Sequence, residues 1–147
     1  MNKSYAFLAM LSLTTALGSC SKDKSTPTPT ASTTTNLTAN INGAQQVPAN
    51  ASTATGTFVG SYDSSNNQLT YTVTYQGTTA TSAHIHTGAP GTSGAVAIPF
   101  ATLTSPIKGT VTLTNDQATS LLNNSMYVNI HSSAYGGGGE IRGNISK

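Results

Sequence analysis

The chain reads as an all-β protein, an antiparallel Greek-key β-sandwich or barrel with one short helix, and three observations lead to that class. Gln68 to Gln76 alternates without interruption, with Leu69, Tyr71, Val73 and Tyr75 set against Thr70, Thr72 and Thr74. That is the period of an antiparallel strand with one buried face. Further short runs of the same kind recur, separated by turn clusters about every eight to twelve residues. Only one stretch, beginning at Thr114, has helical spacing and a helix start signal.

The 147 residues support one domain once the N-terminal segments are set apart. Lys3 precedes an apolar run from Tyr5 to Leu17, too short to span a bilayer and followed by small residues, so residues 1–19 read as a secretory signal. Leu17-Gly18-Ser19-Cys20 resembles a bacterial lipobox, which makes Cys20 the expected site of lipid attachment. Residues 20–36 form a linker. From Ser21 to Asn36 it has two prolines and no aliphatic side chain larger than alanine, so it cannot bury enough to order itself. Such a Thr/Pro/Ser-rich stretch is an extended stalk, reaching on the order of tens of Å. The expected location is the bacterial cell envelope, periplasmic or surface-exposed, with the domain at 37–147 held to a membrane by lipid on Cys20.

Cys20 is the single cysteine, so the domain has neither a disulfide nor a thiolate site and draws its stability from its core. From Leu37 onward Lys108, Arg142 and Lys147 balance Asp63, Asp116 and Glu140. No basic run is present that could track phosphates, which argues against nucleic acid as a partner.

Within the domain, Thr55 to Tyr62 reads as a strand that turns at Asp63-Ser64-Ser65-Asn66-Asn67 into the Gln68 strand. Gly77-Thr78-Thr79 leads to a strand carrying Ala83-His84-Ile85-His86, which ends in a loop from Gly88 to Gly94 with three glycines and a proline. Gly94 to Ala101 is a further strand, with Pro99 marking an edge or a bulge. After a strand at Lys108 to Leu113, Thr114-Asn115-Asp116-Gln117 has the form of a capping box, and Ala118, Leu121 and Leu122 give its helix one apolar face. Asn123-Asn124 stops the helix before the Tyr127 strand. A four-glycine loop, Gly136 to Gly139, then leads to a last strand from Glu140 to Ile145.

All three histidines lie on two of these strands. Alternation sends His84 and His86 to one side, roughly 7 Å apart, and Ala83 and Ile85 to the other. In the later strand Tyr127, Asn129 and His131 share a face opposite Met126, Val128 and Ile130. With the aliphatic faces forming the core, His84, His86, His131, Glu140 and Arg142 would meet on the outer face. Neutral imidazole is a common ligand for copper and zinc, and three histidines with an open position make a known site composition. Asn129, Glu140 and Arg142 are candidates to support those ligands. Arg142 is read as paired with Glu140, attraction of a small anion being its other role. Alternation places any two polar residues of an amphipathic strand this way, so a surface or hydrogen-bonding role for the histidines stays open. Hydrolase chemistry finds no support, because the domain has no nucleophile elbow, no cysteine and too few acids for a carboxylate pair.

Taken together and in order, several motifs resemble the chordin (CHRD) domain family. They are Ala44-Gln45-Gln46-Val47-Pro48, Gly56 before an aromatic strand, Ala83-His84-Ile85-His86 with Gly88, Gly94 with Val96, Tyr127-Val128-Asn129-Ile130-His131, and Gly139-Glu140-Ile141-Arg142-Gly143 with Ile145. The resemblance covers about Leu37 to Ser146 and implies an immunoglobulin-like or superoxide-dismutase-like β-sandwich module of bacterial exported proteins, with no established catalysis. A weaker likeness is to copper-zinc superoxide dismutases, which carry His-x-His on an outward strand and a later strand histidine, the places of His84, His86 and His131. The chain departs from them in lacking a fourth copper histidine, a bridging histidine with a zinc Asp, and a structural cysteine pair. The functional expectation is therefore a lipid-anchored binding or structural module with an unidentified envelope or extracellular ligand. The other reading is a copper- or zinc-binding protein, redox active or not, using His84, His86 and His131.

Overall fold

A computed structural model of the chain describes residues 33–147. The signal segment 1–19, Cys20 and the linker as far as residue 32 lie outside the described residues, and so do the expectations made for them. The strands are β1 (Thr34–Asn42), β2 (Thr55–Asp63), β3 (Gln68–Gln76), β4 (Ser82–Thr87), β5 (Val96–Pro99), β6 (Ile107–Thr112), β7 (Met126–His131) and β8 (Ile141–Asn144). One helix, α1 (Asn115–Leu122), lies between β6 and β7. The strands form one antiparallel sheet in the order β5-β4-β7-β8-β1-β2-β3-β6.

That sheet curls over its apolar face. Tyr71 on β3 meets Phe100, just past β5, with ring centroids 5.1 Å apart, although β3 and β5 stand near opposite ends of the strand order. Leu37, Phe58, Leu69, Val73, Ile85, Ile98, Ile107, Val128, Ile130, Ile141 and Ile145 share a single buried cluster fed from every strand. The expected all-β class with one short helix is therefore what the chain adopts, as a curled, sandwich-like half-barrel.

Local chemistry explains the elements. Leu69, Tyr71 and Val73 are buried as their alternation requires, while Thr70 and Thr74 face outward, where Thr57 and Thr74 join hydroxyl to hydroxyl at 2.7 Å. Thr114 caps α1: its hydroxyl accepts from the Gln117 backbone N–H at 3.2 Å, and the Gln117 side chain accepts from the Thr114 N–H at 2.9 Å. Ala118 and Leu121 are the buried face of that helix. β5, which contains Pro99, is an edge strand, so the missing N–H costs no ladder bond to a further neighbour. β5 and β8 are each shorter than expected. β1 reaches back into the stretch read as linker, since Thr34, Thr35 and Asn36 already pair with Asp63, Tyr62 and Ser61. Threonine suits both a stalk and a strand, which hides that boundary in the sequence.

One feature of the sheet bears directly on the histidines. All six residues of β7 are buried, including Tyr127, Asn129 and His131 on the face turned away from the core. This half of the outer face is covered by the Gly88–Gly94 loop and the Ser132–Gly139 loop, which bond to its side chains. The threonine-bearing outer face of β2 and β3 stays open.

Candidate metal centre

Antiparallel pairing of β4 with β7 sets His84 opposite Asn129, His86 opposite Tyr127 and Ser82 opposite His131. His131 is therefore the diagonal neighbour of His84, within reach across the strands. A register shift between Ile85 and His86 leaves Ala97 of β5 as an extra residue opposite β4 at this point. The imidazole of His84 then lies 5.5 Å, centroid to centroid, from His86 and 5.5 Å from His131, in edge-on arrangements of 83° and 73°. One ring nitrogen from each histidine falls within 4.8 Å of the others.

Hydrogen bonds fix the tautomer of two of these rings. His86 Nδ1 lies 2.9 Å from the Gly94 carbonyl and His131 Nδ1 lies 2.9 Å from the Gly136 carbonyl. A carbonyl oxygen only accepts, so each Nδ1 carries the proton and each Nε2 is left with a free lone pair. His86 Nε2, His131 Nε2 and His84 Nδ1 are buried with no hydrogen-bond partner in the protein. Leaving a buried polar atom unpaired costs about 1–3 kcal/mol, so a water or a cation accepted by these atoms would offset that cost.

Electrostatics keeps the lone pairs available. Burial lowers the pKa of His84 below its ordinary value, and His131 and His86 push it in the same direction. Burial also lowers that of His86; the Gly94 hydrogen bond opposes the shift, while His131 and Arg142 reinforce it. Both rings are neutral at neutral pH and can coordinate.

Of the residues expected to support them, none bonds to a histidine directly. Asn129 accepts from the Gln46 side chain at 2.7 Å and donates to the Gly138 carbonyl at 3.0 Å, which fixes the loop that supplies Gly136. Glu140 turns instead to hydroxyls, accepting from Ser52 at 2.6 Å and from Thr78. Burial raises its pKa, but hydroxyls from Ser132, Ser52 and Thr78 bring it below the ordinary carboxylate range. The expected pairing of Arg142 with Glu140 does not occur. Arg142 donates to the carbonyls of Thr92 and Ala89 and to Asn144 Oδ1, and its Cζ lies 3.5 Å above the Tyr127 ring centroid. The loop after β4 offers it two carbonyl acceptors and β8 a third acceptor in Asn144, while Glu140 lies ahead of β8, where local hydroxyls reach it.

The residue that alternation placed on this face without a role is Tyr127. Its ring stacks on His86, 4.9 Å away and within 9° of parallel, and its hydroxyl accepts from the Gly94 N–H at 3.2 Å. Its position on the histidine face of β7 was legible, but the stack depends on the His86–Tyr127 register. The two carbonyls that orient the histidines belong to loops whose conformation no strand pattern encodes.

The model of the CHRD domain family matches residues 37–145. No curated protein and no solved structure matches the chain.

Proposed function

The chain belongs to the CHRD domain family, and from that premise we propose that it is a metal-binding module of the bacterial cell envelope, taking copper or zinc through His84, His86 and His131. One observation carries the reading: a ring nitrogen from each of the three histidines lies within 4.8 Å of the others, and each ring also has a buried nitrogen without a protein partner. Ligand bonds of about 2.0 Å would hold such nitrogens on the order of 3.5 Å apart, a closure that small side-chain rotations supply. Two of the rings are already held in the ligating tautomer by backbone carbonyls, the arrangement that orients metal-bound histidines.

The envelope address rests on the signal-like segment, Cys20 in a lipobox-like setting and the stalk that follows. No helix among the described residues is long and apolar enough to cross a membrane, so in this reading the lipid is the membrane contact. The metal claim is tested by calorimetric titration of copper and zinc into the full chain carrying Cys20→Ser, which removes the competing thiol, beside the same chain with His84, His86 and His131 changed to alanine. One-to-one binding lost in the triple variant is the expected result. No binding, or equal binding by both, makes the histidines scaffold and leaves a structural module as the function.

A further inference from the structure

We infer that the three-histidine site is built for copper in its univalent state, in preference to a divalent ion; the inference rests on the metal-binding reading above. The donor set is the first reason. Among the described residues the cluster contains only imidazoles, with no carboxylate or thiolate to neutralise a metal's charge. Glu140, which the alternation placed on this face, is engaged by Ser52 and Thr78 instead.

A buried cation behind one ligand is the second. Arg142 is 1% exposed, and its guanidinium lies 3.5 Å from the centroid of the Tyr127 ring. His86 stacks on that same ring at 4.9 Å, and the two are too close to it to share a face. The order is therefore guanidinium, phenol, imidazole, with the positive charge roughly 8 Å from the His86 ring. The partners of Arg142 are neutral carbonyls and an amide, so no anion screens it locally. At an effective dielectric near 20, each added unit of positive charge on a metal beyond His86 is disfavoured by roughly tenfold.

Coordination number is the third. The free nitrogens of His84, His86 and His131 are buried atom by atom. Zinc completes a fourth position and divalent copper prefers a tetragonal set, whereas univalent copper is satisfied by three nitrogen donors. A neutral set of three imidazole donors beside a fixed cation suits the ion of lowest charge and lowest coordination demand.

The test uses the full chain with Cys20→Ser. Univalent copper is supplied under ascorbate in competition with a chromophoric chelator, divalent copper and zinc are titrated separately, and the reduction potential of bound copper is measured. Univalent copper should bind at least tenfold more tightly than zinc, and bound copper should be easier to reduce than aqueous copper. Arg142→Gln keeps hydrogen-bond donors and removes the charge. It should narrow the univalent-to-divalent copper ratio about tenfold, a fall of roughly 59 mV for one electron. Arg142→Lys, which keeps the charge, should hold the wild-type ratio, and with the wild-type measurements it decides the matter if the glutamine variant does not fold. Zinc bound as tightly as univalent copper, or an unchanged ratio in folded Arg142→Gln, overturns the inference and leaves the metal site standing. Failure to bind any of the three ions overturns both.

Discussion

His86 connects the chemistry of the site to the stability of the fold. Its Nδ1–H is held by Gly94, its ring lies on Tyr127, and its Nε2 faces the other two imidazoles unpaired. Because burial lowers the pKa of both His84 and His86, the unfolded chain binds more protons than the folded one as pH drops below the ordinary histidine value of 6.5. Stability present above that value is therefore lost as pH falls toward the folded pKa values. In chelator-treated protein the urea midpoint should decline between about pH 7.5 and pH 5, and a variant with His84→Gln and His86→Gln should decline less. A profile equally steep in both proteins would remove the histidines as its cause. Glu140, held below its ordinary range, acts in the same direction, losing its stabilising effect only at more acidic pH. Alternation alone put His84, His86 and Tyr127 on their correct face. The Arg142 stack was not legible, because it requires the registers of β4 on β7 and β7 on β8 together.

The elements that complete the site are the two glycine-bearing loops, and their glycines are not equivalent. A Cβ on Gly94 would come within 1.6 Å of the Thr87 carbonyl oxygen, so the two backbones touch only because no side chain intervenes. Gly94 also presents its carbonyl to His86 and its N–H to Tyr127. In the other loop, Gly137 and Gly138 face open space, while Gly139 has φ +95° and leaves no room for a Cβ beside the Asn129 amide. Gly94→Ala should cost at least about 1–3 kcal/mol and weaken metal binding, whereas Gly137→Ala should change stability by less than about 0.5 kcal/mol. Denaturant midpoints of the two variants, followed by titration, decide this; equal costs would mean that the Gly94 contact relaxes freely. The sequence marked both loops as turns. It could not tell the glycine that permits a close approach from those that merely fill a span, since the distinction lies in what each backbone lies against.

For the molecule as a whole, the class, the helix with its cap and most strands could be read from period and punctuation, because each follows from local chemistry. The start of β1 and the curl of the sheet could not, since both depend on partners distant in the chain. The proposed envelope tether makes its own prediction: Cys20→Ser in the natural host should move the protein from the membrane fraction to the soluble fraction, and a membrane-bound variant would dismiss the lipid anchor. The strand order adds a constraint on assembly. β8 is the one strand hydrogen-bonded to both halves of the sheet, joining β7 on one side and β1 on the other, with Ser146 also paired to Thr38. The histidine-bearing β4 and β7 and the threonine-faced β1, β2 and β3 are thus closed into one sheet by a segment that follows all of them in the chain. Such distant pairing delays closure, so the β4–β7 pair that holds the histidines can form before β8 ties it to the other half of the sheet.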